Sequence, residues 1–540
     1  MNVPSLRAVG DLGRGARALA AAGIVTPRVG ELVQRVKALR AWGHVPIAGF
    51  VAAARSRPHQ PFLHDDEGTL TYAEADRRSD AIAHGLRASG LREGDAVGLL
   101  CRNGRAFVEG MLGCSKAGLT MLFLNTDFAG PQLLGTLERE GGKALIADAE
   151  FDALLPADAL PGRRFVGHGA RDDDPLALER LAQRPGGGPL APPAQPGKLV
   201  ILTSGTTGTP KGAARSGAPI SAVAGILDRI PLKAGQTHLI AAPLFHGWGL
   251  LHLTLALALP ATVVLQRRFE PEELLRVAAA RRVDSIVLVP TMLQRIMQLP
   301  PETRARHDLS SLSALPLSGS AIPGDLATRA MDAFGDVVLN FYGSTETGWA
   351  TIATPADLRA APGTAGRPPM GTDLLLLDEH DRPLPQGATG RIFVASRLRM
   401  EGYTDRALRK AEVDGRMSTG DVGHLDASGR LFVDGRDDEM IVSGGENVFP
   451  REVEDLLVAH DAVLEAAVIG VDDEQFGQRL RAFVVLAEGA QVDGEALQAH
   501  VRANLARYKV PREVVVLAEL PRNPTGKVLK RQLAAWTDPA

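Results

Sequence analysis

Short apolar runs that break off into polar, glycine-rich stretches recur along this chain and alternate with longer segments of helical rhythm. The pattern predicts helices over 73–89 and 107–116 and strands over 96–100 and 120–124. Further runs at 199–202, 239–249, 285–291, 315–323 and 337–346 each empty into a polar loop. Such alternation implies an α/β fold with largely parallel sheets. The carboxyl ends of strands line the ligand crevice in sheets of this kind, so the five loops are expected to share one site.

After about residue 370 the pattern changes to short strands and tight turns, which predicts a small antiparallel, barrel-like β unit. The charged run 436–439 has no apolar residue to bury and marks a domain boundary. Beyond it, helical rhythm at 450–459 and 494–504 and extended runs at 464–470, 481–486 and 513–518 predict a compact α+β module. At the other end, Val33, Val36, Leu39 and Trp42 fall on one face of a basic helix. That arm suits packing on the main domain or contact with a membrane surface. The expected organisation is a helical arm over 1–45, a large domain over 46–436 and a small mobile domain over 437–540.

Composition narrows the class. With 540 residues and 45% apolar side chains the chain exceeds one core but fills several. Lys and Arg number 60 against 63 Asp and Glu, so no global basic field points to nucleic acid. The two cysteines, Cys101 and Cys114, have no metal-binding spacing, which fits a reducing, cytoplasmic setting. The most apolar window, 250–265, is interrupted by His252, Thr254, Pro260 and Thr262 and falls short of the roughly 20 apolar residues a membrane span needs.

The chemistry concentrates where the run 199–202 opens into T-S-G-T-T-G-T-P-K-G. Gly205 and Gly208 let the backbone turn its N–H groups inward, Thr203, Ser204, Thr206 and Thr207 add hydroxyls, and Lys211 adds a cation. Those are the parts of a phosphate cradle, the alternative being a plain turn between two strands. It is not a Walker loop, because Pro210 precedes the lysine and no Ser or Thr follows it.

Taken with Y-G-S-T-E (342–346), S-T-G-D (418–421), G-R-D-D (435–438) and P-T-G-K (524–527) in that order, the chain from about Phe50 resembles the adenylate-forming superfamily. That superfamily comprises acyl-CoA synthetases, aryl-CoA ligases, peptide-synthetase adenylation domains and luciferases. The overall layout, with M-L-G-C-S-K-A-G and L-N-T-D-F-A-G-P, is most similar to bacterial fatty-acyl-CoA synthetases. The resemblance implies that a carboxylic acid, expected to be a medium- or long-chain fatty acid, is joined to AMP from ATP and then passed to coenzyme A, with Mg²⁺ as cofactor.

The same resemblance assigns roles. Lys527 is the catalytic lysine, acting with Thr345, Glu346 and His246, and Glu346 holds Mg²⁺, since a carboxylate in a triphosphate site needs an intervening cation. The nucleotide is met by 203–208 and Lys211, by Ser318, Gly319 and Ser320, by Asn340, Phe341, Tyr342 and Gly343, and by Asp421 and Arg436 on the ribose. Tyr342 suits stacking on adenine, and the two oxygens of Asp421 suit two ribose hydroxyls. Phe245, His246, Trp248, Val289, Thr291, Met292 and Gly319 line the acyl pocket. Asp438 is the hinge, and Ser443, Gly444, Gly445 and Glu446 line the path of coenzyme A.

His246 stands where peptide-synthetase relatives place an aspartate, so no carboxylate waits for a substrate ammonium and amino acids are disfavoured. A ligase loading a carrier protein and an aryl-CoA ligase are the nearest alternatives. A luciferase-type oxygenase would carry the same adenylating residues and be revealed by dioxygen consumption. A non-enzymatic acyl-AMP binder would not need Lys527, Glu346 and Lys211 together. Self-association as a homodimer and membrane contact through the arm stay open.

Overall fold

The computed structural model describes residues 6–25, 28–43, 46–156, 158–185, 187–204, 210–215, 219–443, 446–473, 477–523 and 526–536. Its largest sheet has seven strands, in the spatial order Gly402–Tyr403, Pro210–Arg215, Leu199–Ser204, Thr120–Phe123, Ala96–Leu100, Gly142–Ala147 and Arg164–Val166. The last five run parallel, and the first two turn antiparallel at one edge. Ala96–Leu100 is buried at every position, as a parallel strand covered on both faces must be.

A second sheet of five strands orders Ser285–Val287, Thr237–Ile240, Thr262–Val264, Pro61–Asp65 and Gly68–Thr71. Beside it, Leu315–Leu317, Val338–Ser344 and Gly348–Ala353 form a third. The helix Gly247–Ala258 starts beside the polar loops and runs back through the main core. The β unit after 370 is a five-stranded antiparallel sheet of Thr372–Leu377, Gly390–Ser396, Glu412–Val413, Arg416–Leu425 and Leu431–Arg436. The sheet is branched: Arg416–Leu425 pairs with Gly390–Ser396, Glu412–Val413 and Leu431–Arg436, and an isolated bridge from Leu431 to Gly366 links it onward.

From Leu431–Arg436 the chain passes through a 3₁₀ turn, Asp437–Glu439, into a separate sheet. That sheet holds Ile441–Ser443, Glu446–Val448, Val463–Asp473, Gly477–Leu486 and Glu513–Val516. The helices Pro450–Val458 and Gly494–Asn504 cover it through Val453, Leu457, Leu497 and Val501, so this part has a core of its own.

The N-terminal arm is helical and holds α1 (Leu6–Ala21) and α2 (Val29–Trp42), and α3 (Pro46–Ser56) follows it. Helix α3 is nearly all buried and crosses Gly247–Ala258 so closely that a Cβ on Gly49 would lie 2.6 Å from the Leu257 carbonyl oxygen. Helix α1 is tied to the large domain by Arg14 and Asp228 (2.5 Å). On α2 the expected shared face does not hold: Trp42 is buried, whereas Val33, Val36 and Leu39 are exposed. Steps of three residues turn about 60° short of a full helical circle each time, so nine residues carry Trp42 to the opposite side of Val33. No described helix is long and apolar enough to cross a membrane.

Candidate active site

The glycine–threonine loop lies at the tip of a β-hairpin. Leu199–Ser204 pairs antiparallel with Pro210–Arg215, with Thr203 opposite Lys211 and Ser204 opposite Pro210. The two strands that flank the loop are therefore adjacent, as the turn between two strands requires, and a phosphate cradle in that turn is compatible with the pairing. Gly205, Thr206, Thr207 and Gly208 lie outside the described residues, as do the side chains of Thr203 and Ser204.

The return strand brings two groups that the sequence reading passed over. Tyr403, on the neighbouring strand, lies with its ring 5.9 Å below the Lys211 ammonium and donates its hydroxyl to Glu346 Oε1 at 3.1 Å. Arg215 donates Nη2 to the Thr345 carbonyl, and its Nε is buried without a hydrogen-bond partner among the described residues. Desolvation pulls the Arg215 guanidinium down to about 10, against the pull of the Glu346 charge, so it remains a cation at neutral pH. Residues two apart on a strand share a face, so Lys211, Ala213 and Arg215 form a row; that period was the available signal.

Thr345 and Glu346 sit at the tip of the hairpin between Val338–Ser344 and Gly348–Ala353. The hairpin closes so tightly that a Cβ on Gly343 would lie 2.1 Å from the Gly348 carbonyl oxygen. Met400 N–H donates to the Glu346 carbonyl at 2.8 Å, which fixes its backbone. No group of three or more metal-ligating side chains occurs among the described residues. One half-buried carboxylate is a donor set that fits Mg²⁺, which is commonly held by one or two carboxylates and completed by phosphate oxygens and water.

Alternation along Val338–Ser344 separates its neighbours. Phe341 packs into an aromatic cluster with Trp248 (5.0 Å between ring centres) and Trp349 (5.5 Å), so its ring is not available to a nucleotide. The Asn340 amide donates to the Thr364 carbonyl at 3.1 Å, and the Ser318 hydroxyl to the Phe341 carbonyl at 2.8 Å; both are buried structural bonds. Trp248, expected at the pocket gate, is core: its indole N–H donates to the Leu288 carbonyl at 2.8 Å and its ring meets His252 edge-on at 4.5 Å. Tyr342 is the residue of this run whose side chain reaches the expected ribose group.

The Tyr342 hydroxyl donates to Asp421 Oδ2 at 2.6 Å, and Arg436 Nη1 donates to Oδ1 at 3.2 Å. Asp421 and Arg436 are direct partners across the strands Arg416–Leu425 and Leu431–Arg436. Burial raises the Asp421 carboxyl above its usual range, while Tyr342 and Arg436 act in the opposite sense. Burial, and then the neighbouring Asp421 charge, push the Tyr342 phenol well above its ordinary value, so it stays a neutral donor.

On the acid side, His246 precedes the first residue of Gly247–Ala258, and desolvation pulls its imidazole down to about 4, leaving it neutral at physiological pH. A Cβ on Gly247 would lie 3.5 Å from Thr345 Oγ1, so this helix start abuts the Thr345–Glu346 tip. Phe245 and Val289 are buried, and Thr291 and Met292 are half-buried on the first turn of Pro290–Gln298. Gly319 has φ of +102° and its Cβ position lies 3.6 Å from Val289. Ser320 is half-buried beside it.

The helix Pro290–Gln298 also seats the small domain. Gln294 Nε2 donates to the Leu464 carbonyl at 3.0 Å, and Gly526, with φ of +80°, is so close to Thr291 that an added Cβ would lie 2.4 Å from its hydroxyl. Lys527 follows at an exposed turn, with its N–H on Asn523 Oδ1 at 2.9 Å. Arg522 braces the turn, donating to the Gly526 carbonyl at 2.5 Å and pairing with Glu465 at 2.9 Å. Asp438 lies in the 3₁₀ turn, and its side chain is outside the described residues. Next to it, Glu439 pairs with Lys530 at 3.1 Å. Ser443 and Glu446 are cross-strand partners in a hairpin whose tip, Gly444 and Gly445, lies outside the described residues.

A hydroxyl-and-lysine hairpin, a carboxylate beside it, a Tyr–Asp–Arg group and a lysine turn on a second domain define an enzyme that adenylates acids. The chain belongs to the AMP-binding enzyme family: the family model matches residues 50–404 and the model of its C-terminal domain matches 452–527. It is accordingly an acid–CoA ligase that works through an adenylate, using ATP, Mg²⁺ and coenzyme A. Among curated relatives it is similar to a feruloyl-CoA synthase of Amycolatopsis sp, 36% identical over 495 residues, covering 89% of this chain and 97% of that protein. It is also similar to an indoleacetate–CoA ligase of Aromatoleum aromaticum, 35% identical over 492 residues, covering 88% and 96%. Among solved structures, o-succinylbenzoate CoA synthetase (MenE) from Bacillus subtilis in complex with the acyl-adenylate intermediate OSB-AMP matches with a TM-score of 0.77 at 28% identity, covering 90% of this chain and 97% of that one.

Proposed function

We propose that this ligase activates an apolar carboxylic acid with a compact aromatic body, an aryl or arylalkanoic acid, rather than a long alkyl chain. The observation that carries the adenylating geometry is the seating of Gly526 on Thr291, which brings the Lys527 turn against the helix bearing Thr291 and Met292. In the first step a carboxylate oxygen of the acid bonds to the α-phosphorus of ATP as the bond to pyrophosphate breaks. Lys211 and the hairpin hydroxyls hold the outer phosphates, Asp421 with Tyr342 and Arg436 holds the ribose, and Glu346 holds the Mg²⁺ that offsets phosphate charge. The Lys527 ammonium lies between carboxylate and α-phosphate oxygens as charge shifts from one to the other. In the second step the sulfur of coenzyme A, having lost its proton, attacks the acyl carbon and AMP leaves.

The buried cluster of Trp248, His252, Phe341 and Trp349 supports the aromatic reading, because it packs aromatic rings around the start of Gly247–Ala258, next to Phe245 and His246. Neutral His246 offers no charge to a substrate ammonium or a second carboxylate. The names of the two curated relatives point the same way. The test is AMP and pyrophosphate release, with and without coenzyme A, across acids from acetate to palmitate together with benzoate, cinnamate, ferulate and indoleacetate. Coenzyme A-dependent turnover highest on an aryl acid is expected. A maximum on a long alkyl acid would return the assignment to a fatty acid, and pyrophosphate release indifferent to coenzyme A would move it to a carrier-loading ligase.

Arg215 is assigned to the phosphate side by its place in the row with Lys211 and by its buried Nε, which has no partner among the described residues. Arg215→Met is expected to weaken MgATP use about 10- to 100-fold, the scale of one lost charge-assisted hydrogen bond. Pyrophosphate exchange at varied ATP would read this as a raised KM for ATP; an unchanged KM would remove Arg215 from the site.

A further inference from the structure

Helix α2 lies outside the residues matched by the family models, and only one side of it is packed. Glu31, Ala38 and Trp42 face inward. On the opposite side Val29 is 73% exposed, and Leu32, Val33, Val36 and Leu39 are between 38% and 42% exposed. At 100° per residue these five aliphatic side chains occupy one arc about 120° wide. An aliphatic arc of this size left in water forfeits the free energy of burial unless another phase covers it.

The charges on the helix say which phase. Arg40 projects within the arc and Lys37 at its flank, both exposed. The only carboxylate of α2, Glu31, is turned inward and paired with Arg57 at 2.9 Å and Arg28 at 3.1 Å. A second copy of the same face would therefore bring cation against cation with no exposed carboxylate from this helix to answer it. At the C-terminal end of α2, Trp42 and Gly43 border a cavity of about 210 Å³ shared with Met111, Leu112 and Leu257. That cavity lies on the packed side of α2, at the ends of the strands remote from the ATP hairpin, so the aliphatic arc is a separate, outward-facing surface.

We infer that α2 lies flat on an anionic phospholipid surface, its aliphatic arc among the acyl chains and Lys37 and Arg40 among the lipid phosphates. Such a helix binds by apolar burial and by attraction to anionic headgroups together, so both contributions can be removed separately. The inference is independent of which acid the active site takes.

The test is sedimentation of the full chain with phosphatidylcholine vesicles, with or without about 30 mol% phosphatidylglycerol. Binding to the anionic vesicles is expected to exceed binding to the neutral ones at least tenfold and to fall as salt is raised. Val33→Glu with Val36→Glu should lower it by about tenfold or more, with Tm and activity on a water-soluble acid unchanged, since neither residue is near the active site. Lys37→Glu and Arg40→Glu should each lower binding roughly fivefold, and only on anionic vesicles. Failure of the parent chain to bind anionic vesicles would overturn the inference. So would equal binding by the Val33/Val36 double variant, or a dimer in sedimentation velocity that this double variant dissolves.

Discussion

Lys527→Ala is expected to slow adenylation by about 10²- to 10³-fold while leaving the thioester step on a supplied acyl-adenylate nearly intact. The two half-reactions separate because the lysine acts only while negative charge moves between the acid and the α-phosphate. The turn should survive the change, because its bonds run through the backbone: Lys527 N–H to Asn523 Oδ1 at 2.9 Å and Asn523 N–H to the Lys527 carbonyl at 2.9 Å. The side chain itself is exposed and fills no core, so Tm should stay within about 1–2 °C of the parent. Single-turnover pyrophosphate release measures the first step, and acyl-CoA formed from synthetic acyl-adenylate measures the second. A loss in adenylation below about tenfold, or an equal loss in both steps, would take Lys527 out of its assigned role.

The second large effect concerns the turn between the domains. Gly526 is seated on Thr291, which sets the Lys527 turn against the acid side, and on the proposed reading coenzyme A would enter after the small domain moves. Asp437–Glu439 is the short connection on which that motion would pivot, flanked by the Glu439–Lys530 pair. Asp438→Pro restricts φ to about −65° and restrains rotation there, and a φ of this size suits a 3₁₀ turn. Thioester formation should fall about 10- to 100-fold while pyrophosphate release in a single turnover changes less than about threefold. Asp438→Ala, which keeps the torsional freedom, should resemble the parent in both. Equal losses in the two steps for the proline variant would place the pivot elsewhere.

Several features of the site were legible because they are local. The strand Leu199–Ser204 followed from a continuous apolar run, and the glycines and hydroxyls after it proposed a phosphate cradle without any knowledge of packing. The ribose group was read as Asp421 with Arg436, and their pairing required only that two consecutive strands form a hairpin, which places residues fifteen apart face to face. Where the reading depended on which way a side chain points within a strand, it failed in part. Asn340, Phe341 and Tyr342 were grouped together, yet alternation turns Phe341 into the aromatic core and leaves Tyr342 on Asp421.

The sequence alone determined the alternating α/β architecture, the strand that opens into the glycine–threonine loop and the family, since each is written in a local pattern or an ordered set of short motifs. Tertiary structure alone decided that Tyr403 would bridge Lys211 and Glu346, that Arg215 would donate to the Thr345 carbonyl, that Trp248 would be buried with its indole N–H on the Leu288 carbonyl, and that α2 would keep its aliphatic arc outward. Each of these depends on contacts between segments whose distance along the chain is unrelated to their distance in space. The free energy of burial is set by the neighbours a side chain acquires on folding, and no local pattern records who those neighbours will be.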